Sequence, residues 1–150
     1  MKKLLSVSLL LSLIGCASIN IPNYIRDKNP YKKSFYTHFV RAREAVMKTF
    51  EETGWTVESE SEPALFERER DLKSGLKQTL IFSDVRQTSF FIGTRYSKLN
   101  VYVHEIADNE TEIEIRYLIL TNVVFKNFYS YKNDRAVDRI FKKIEEDLSS

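Results

Sequence analysis

The chain is 150 residues long, with 43% apolar residues, 29% charged residues and a formal net charge of +2. A chain of this length forms one domain around one hydrophobic core. Aromatic residues make up 13% of it while glycine (4) and proline (3) are scarce, which excludes disorder as the overall state. The single cysteine excludes a disulfide framework and cysteine-based metal centres.

The chain begins with the pattern of a secretory signal peptide. Two lysines precede an apolar stretch over residues 4–14. A helix needs about 20 residues to cross a membrane, so this shorter stretch predicts a signal peptide over residues 1–15 that is removed. The stretch ends in a sequence that resembles the lipobox of bacterial lipoproteins, Leu13-Ile14-Gly15-Cys16. The alternative is a core cysteine that happens to follow an apolar run.

The resemblance implies that the Cys16 sulfur receives a diacylglyceryl group and that cleavage occurs between Gly15 and Cys16. Two or more acyl chains hold a protein firmly on a membrane. In this family an Asp after the cysteine often favours the inner membrane, whereas this chain has Ala17. We therefore expect the periplasmic face of the outer membrane, or the outer leaflet of the plasma membrane in a host with one membrane.

Cleavage would also change the charge of the chain. The removed segment carries two lysines and no acid, so the mature chain would be neutral, with 21 bases and 21 acids. Nucleic-acid binding depends on neutralising phosphates, so no nucleic-acid partner is expected.

The composition of residues 16–33 predicts that they form a flexible, lipidated tether. Two prolines and several asparagines disfavour a helix, and no regular alternation indicates a strand. Fully extended, residues 17–33 would span about 55 Å, enough to lift the domain away from the bilayer. The tether is either a solvated linker or a segment whose basic residues contact anionic headgroups.

A first helix is predicted over residues 35–53. Ser34 is a suitable N-cap, and Gly54 suits the left-handed position after a helix, with Trp55 folding back on the last turn. The helix has apolar residues at a 3.6-residue period, namely Phe35, Phe39, Ala42, Val46 and Phe50.

A section of β-strands follows. Strands are predicted over residues 55–60, 64–68 and 79–85, with part of another at residues 90–94. The clearest pair covers residues 98–106 and 111–121, joined by a tight turn that contains Asp108 and Asn109. Apolar and polar residues alternate in this pair, which predicts an antiparallel sheet with one covered face and one wet face.

A second helix is predicted over residues 135–148, with Asp134 as its N-cap. The order α-β-β-β-(β)-β-β-α predicts an α+β fold. Its antiparallel sheet would have about five strands, with both helices packed on one face. This single globular domain would occupy residues 34–149.

No motif for catalysis or metal binding stands out in the sequence. His38 and His104 lack the spacing of metal ligands, and neither a Gly-x-Ser-x-Gly motif nor a glycine-rich phosphate loop is present. Paired acids such as Glu58 and Glu60 are better explained as solvated sheet residues. We therefore expect no enzymatic activity, no cofactor and no metal. An enzyme would need a cleft in which one of the histidines meets a carboxylate.

The segment over residues 123–131 is unusually aromatic, with Phe125, Phe128, Tyr129 and Tyr131, and Phe90 and Phe91 form a second cluster. These side chains either fill the core where the second helix turns back or form an exposed patch. Exposed apolar patches mark surfaces that bind partners. The four aromatic residues of 123–131 are therefore the candidate interaction patch.

The predicted order of elements over residues 34–149 resembles small α+β domains of envelope lipoproteins, such as the helix-grip domains of the BamC type. The resemblance implies a non-enzymatic interaction or accessory module on a membrane, and another envelope protein as its partner. The alternative is a periplasmic carrier that holds a small apolar ligand between the sheet and its helices. A cavity of a few hundred Å³, enclosed and apolar, would favour the carrier.

Overall fold

The computed structural model describes residues 19–67, 75–124 and 126–150. Two α-helices and seven β-strands are present in this part of the chain. In chain order they are β1 (Tyr31–Phe35), α1 (Phe39–Glu52), β2 (Val57–Ser61), β3 (Gln78–Ser83), β4 (Arg86–Phe90), β5 (Gly93–Ala107), β6 (Glu110–Val123), β7 (Lys126–Ser130) and α2 (Asp134–Ser149).

The predicted α+β class with an antiparallel sheet is confirmed, with seven strands where about five were expected. The sheet runs β1-β6-β5-β3-β2, with β4 paired to β5 and β7 paired to β6. The long hairpin of β5 and β6 lies at its centre and turns at Asp108 and Asn109, as the sequence predicts. Since β1 and β7 pair with opposite ends of β6, they lie on the same side of this hairpin.

The hydrophobic core lies between the helices and one face of the sheet, as predicted. Alternate residues of the central hairpin supply the sheet side, and the apolar stripes of both helices supply the other. The fully buried members of this core are Ala42, Val46, Phe50, Ile81, Leu99, Val101, Val103, Ile113, Ile115, Val137 and Ile144. Hydrophobic burial at this interface fixes the position of the sheet relative to the helices.

The first helix begins later than predicted. Phe35 ends β1, where it pairs with Thr111, and the helix starts at Phe39 with His38 in the N-cap position instead of Ser34. Phe35 still packs in the core, so its apolar spacing fits the strand as well as a helix. Gly54 has the expected positive φ of 73°, and the Trp55 amide bonds to the Phe50 carbonyl at 2.7 Å.

Three other predicted boundaries are wrong. Residues 63–65 form a 3-10 turn that Pro63 opens, where a strand was expected from residue 64. The part of a strand expected at residues 90–94 is divided: Phe90 ends β4, residues 93–94 begin β5, and Phe91 and Ile92 form the turn between them. Residues 126–130 form β7, where a connecting segment was expected. The second helix is confirmed, but Asn133 caps it instead of Asp134 through its side-chain oxygen, 3.3 Å from the Ala136 nitrogen.

The tether prediction is wrong for its later part, because residues 23–25 and 31–35 pack on the sheet. Ile25 is fully buried, and its amide donates to Asn100 Oδ1 at 2.5 Å. Residues 31–35 form β1 against β6. The folded domain therefore begins about ten residues before residue 34, and the 55 Å reach expected of the tether is much too long.

The sheet face away from the helices is covered, so the expected wet face is also wrong. Tyr24 and Phe66 pack there against Leu80, Phe82 and Tyr102. The polar residues of the central hairpin on this face are buried too, namely Lys98, Asn100, Glu114 and Arg116. They are buried because they pair with residues distant in the chain, which periodicity along one strand does not show.

Candidate functional site

Three of the predicted site residues, Gly15, Cys16 and Phe125, lie outside the described residues. The other three members of the predicted patch are exposed: Phe128 by 58%, Tyr129 by 51% and Tyr131 by 40%. The interpretation that these side chains fill the core is therefore wrong for all three.

Phe128 and Tyr129 lie on β7, and Tyr131 follows it. Phe128 pairs with Thr121 and Tyr129 pairs with Leu120 on β6. Because neighbouring strand residues point to opposite faces, these two rings project from the two faces of the sheet. Together with Tyr131 they form the β7 aromatic group. The rings of this group therefore lie on both faces of an edge strand and do not form one flat patch.

A second exposed apolar group lies at one end of the sheet. Gly93 pairs with both Phe90 and Val123, so the β4–β5 turn and the β6–β7 turn stand side by side. Their side chains project into solvent: Phe90 is 40% exposed, Phe91 103%, Ile92 55% and Val124 67%. We call these four residues the hairpin tip.

Two backbone features build the hairpin tip. A Cβ atom on residue 93 would lie 2.0 Å from the Asn122 carbonyl oxygen, so the close approach of the strands needs glycine. Val124 has a φ of +45°, in the left-handed region that β-branched residues rarely adopt. Asparagine or glycine would fit that turn with less strain, yet the chain places an exposed apolar residue there. Such strain at an exposed turn is typical of functional sites.

Opposite the helices, a buried ionic network links the N-terminal segment to the sheet. Arg116 is 3% exposed, and its guanidinium lies 2.5 Å from Glu114 Oε1 and 2.5 Å from Glu67 Oε1. Arg116 Nη1 also donates to the Tyr24 hydroxyl at 2.7 Å, and Lys32 Nζ lies 3.1 Å from Glu114. Burial lowers the pKa of Arg116, but the bond to Glu67 and the two carboxylate charges outweigh it and raise the pKa overall.

The pKa of Tyr24 is also perturbed within this network. Burial and the hydrogen bond that its hydroxyl donates to Glu67 raise the pKa of Tyr24 to about 12, although the Arg116 charge acts in the opposite direction. Both tyrosine and arginine thus keep their protons throughout the physiological range.

Next to this network, a second polar group fixes Asn23. Lys98 Nζ lies 2.7 Å from Asn23 Oδ1 and 2.8 Å from Glu58 Oε2. Asn100 Nδ2 donates to the Asn23 carbonyl at 3.1 Å. The chain is therefore held to β5 at Asn23, seven residues after the predicted lipidation site.

The two histidines do not contact the same groups: His38 is the N-cap residue of α1, and His104 lies on β5. His38 Nδ1 lies 3.0 Å from the Asp108 carbonyl oxygen, while His104 Nε2 lies 2.9 Å from Glu112 Oε1. The His104 ring stacks on Tyr102, with the ring centroids 4.6 Å apart. A histidine therefore does meet a carboxylate, but the pair lies along the sheet and lines none of the cavities described below. Within residues 19–67, 75–124 and 126–150, no three His, Cys, Asp or Glu side chains are grouped as metal ligands.

Three cavities formed by the described residues are open clefts with charged side chains in their walls. One of about 520 Å³ lies between β1 and α2 beside Lys32, Lys33 and Glu145. Another, of about 390 Å³, is lined by Glu62 and Lys77 among others.

The third cleft, of about 370 Å³, lies on the helix side of β4 and β5. Its walls include Trp55, Tyr117, Arg86 and Arg95, and the Arg86 guanidinium stands 4.4 Å from the centre of the Trp55 ring. Its lining residues include two arginines and no carboxylate, so its charge is positive.

No protein-family model matches the chain, and no characterised protein matches it significantly. In the part of the chain that the structure covers, no helix is both long enough and apolar enough to cross a bilayer. The sequence pointed to the aromatic residues of both exposed groups. It did not reveal the buried ionic network, because Glu67, Glu114 and Arg116 resemble solvated residues until the fold brings them together.

Proposed function

We propose that the chain is a bacterial envelope lipoprotein, anchored through acylated Cys16, whose domain binds another envelope protein without catalysing a reaction. The lipobox-like sequence up to Cys16 supports the anchor. The exposure of Phe128 and Tyr129 on the edge strand β7, and of Tyr131 just after it, carries the proposal of a protein partner, since single exposed apolar residues are normal whereas a group of them marks an interaction surface.

The partner would bind along β7. Among the described strands β7 pairs with β6 alone, so its outer edge presents backbone groups that another strand can bind. Phe128 and Tyr129 stand on the two sides of this edge and would contact an added strand from both faces. Tyrosine suits such a surface because it supplies a large contact area at a low entropic cost.

Anchoring supports the same proposal. With two or three acyl chains on Cys16, the domain would remain at the membrane surface, on the periplasmic face of the outer membrane in a host with two membranes. There it would meet its partner on a surface and not in solution. The alternative of an apolar carrier has less support, because the clefts of 370–520 Å³ are open and have charged lining residues.

Photocrosslinking in intact cells tests the partner. A photoreactive amino acid replaces Tyr129 in one strain and Tyr36 in another, since Tyr36 is a 94% exposed aromatic residue remote from β7 in the chain. We expect position 129 to capture a defined envelope protein that position 36 does not capture. Equal capture at both positions, or no capture at position 129, would contradict the proposal.

A further inference from the structure

We propose that the hairpin tip inserts into the surface of an anionic bilayer and so forms a second membrane contact besides the acyl chains. This inference rests on the proposed lipid anchor. Phe91 is fully exposed at the end of the tip, and Ile92 and Val124 are more than half exposed. A projecting turn of this kind offers no groove to a peptide, but it can enter the boundary between headgroups and acyl chains.

The charge around the tip favours a bilayer with anionic lipids. The two stretches of chain that lead into and out of the tip, residues 85–104 and 115–133, contain no Asp or Glu. They contain six bases: Arg86, Arg95, Lys126 and Lys132 are exposed, whereas Lys98 and Arg116 are buried and paired with carboxylates. Exposed bases near a membrane are attracted to anionic headgroups, each contributing to binding within a Debye length. The mature chain would be neutral overall, so this positive region is local.

The attachment of the N-terminal segment places the tip near the anchor. Asn23 is bonded to Lys98, and the seven residues back to Cys16 span at most about 25 Å. Along β5, Gly93 at the tip lies five residues from Lys98, or about 17 Å. The turn at Asp108 lies ten residues in the other direction, or about 34 Å. The tip is therefore the end of the sheet that a short tether keeps closer to the membrane.

The test uses the acylated protein reconstituted into vesicles of phosphatidylethanolamine and phosphatidylglycerol. Because the chain has one cysteine and the anchor blocks it, an introduced cysteine is the only free thiol. Phe91→Cys and Leu65→Cys variants each receive an environment-sensitive fluorophore. Leu65 is the matched control, since it is an apolar residue that is 63% exposed and lies outside the tip.

We expect lipids that carry a quencher to quench the probe at position 91 and not the probe at position 65. Adding Ile92→Asp and Val124→Asp should lower the inserted fraction about tenfold or more, since each removes a large apolar side chain from the bilayer. Asp is accepted at a positive φ more readily than Val, so the fold should persist. Leu65→Asp is the control and should leave insertion unchanged.

Three results would overturn the proposal. In the first, the probe at position 91 stays in water although the protein floats with the vesicles. In the second, both probes are quenched equally. In the third, the probe at position 91 is shielded from water but is not quenched by lipid, which would indicate a contact with protein. Failure of the anchor is a separate result: the parent chain, with Cys16 unmodified, would itself react with the fluorophore.

Discussion

Replacing Arg116 with methionine tests whether the buried ionic network holds the N-terminal segment on the sheet. Methionine keeps the packing of the aliphatic stem but removes the guanidinium that lies 2.5 Å from both Glu114 and Glu67. Glu114 is fully buried and keeps its contact with Lys32 at 3.1 Å, while Glu67 is 9% exposed. The substitution therefore leaves two carboxylates in a region of low dielectric without their shared cation.

The cost follows from this burial. Removing one partner of a buried ion pair lowers the free energy of unfolding by about 3–5 kcal/mol. A domain of this size loses about 2–4 °C in Tm for each kcal/mol, so Tm should fall by about 6–20 °C. Arg43→Met is the matched control, because Arg43 pairs with Glu60 at the surface, where such pairs contribute about 0.2–1 kcal/mol.

Urea unfolding followed by circular dichroism measures both variants. Combining Arg116→Met with Glu114→Gln and Glu67→Gln should restore much of the lost stability, because no uncompensated charge then remains. The reasoning is refuted if Arg116→Met costs no more than Arg43→Met, since the guanidinium would then be solvated instead of buried.

Three further predictions concern the β7 aromatic group, the hairpin tip and the tyrosines of the N-terminal segment. Replacing Phe128 and Tyr131 with Ala should reduce crosslinking to the partner but lower Tm by less than about 5 °C, because both side chains are about half exposed and lie outside the core. A greater loss of Tm would show that they belong to the core. Gly93→Ala should destabilise the domain by about 1–3 kcal/mol in urea unfolding, because its Cβ would lie 2.0 Å from a backbone oxygen; an unchanged midpoint would contradict this contact. The free energy of unfolding should fall between pH 10 and pH 12. The fold raises the pKa of Tyr24 and of Tyr31 to about 12, so in this range both tyrosines ionise in the unfolded chain but keep their protons in the folded one. Tyr24→Phe should make this fall less steep, and a slope equal to that of the parent chain would exclude the network as its cause.

The helix side of the fold was predictable because its signal lies within each element. Val137, Ile140 and Ile144 mark one face of a helix, and Leu99 and Val101 mark one face of a strand, whatever else the chain does. Boundaries were less predictable where one apolar residue suits two structures. Phe35 fits the helical spacing but lies in β1, because pairing with β6 satisfies the hydrogen-bonding groups of its backbone.

The opposite face was not predictable from periodicity. Lys98, Asn100 and Arg116 alternate with apolar residues and so indicate a wet face, yet they are buried by partners as far away as Asn23 and Glu67. The N-terminal segment that covers them has no repeating pattern and contributes single contacts, such as the buried Ile25.

The candidate site was predictable in part. The aromatic residues of 123–131 were apparent in the sequence, but their exposure depends on β7 being an edge strand. The hairpin tip depends on long-range pairing, since Gly93 brings two turns together that are about thirty residues apart. Composition alone shows neither arrangement.

The central claim is that acyl chains on Cys16 hold this domain on a membrane, and intact-protein mass spectrometry of the chain extracted from its native host tests it most directly. The account predicts a chain that begins at residue 16 and carries the mass of a diacylglyceryl group, with or without a further acyl chain. A chain that still begins at Met1 with an unmodified thiol would contradict it.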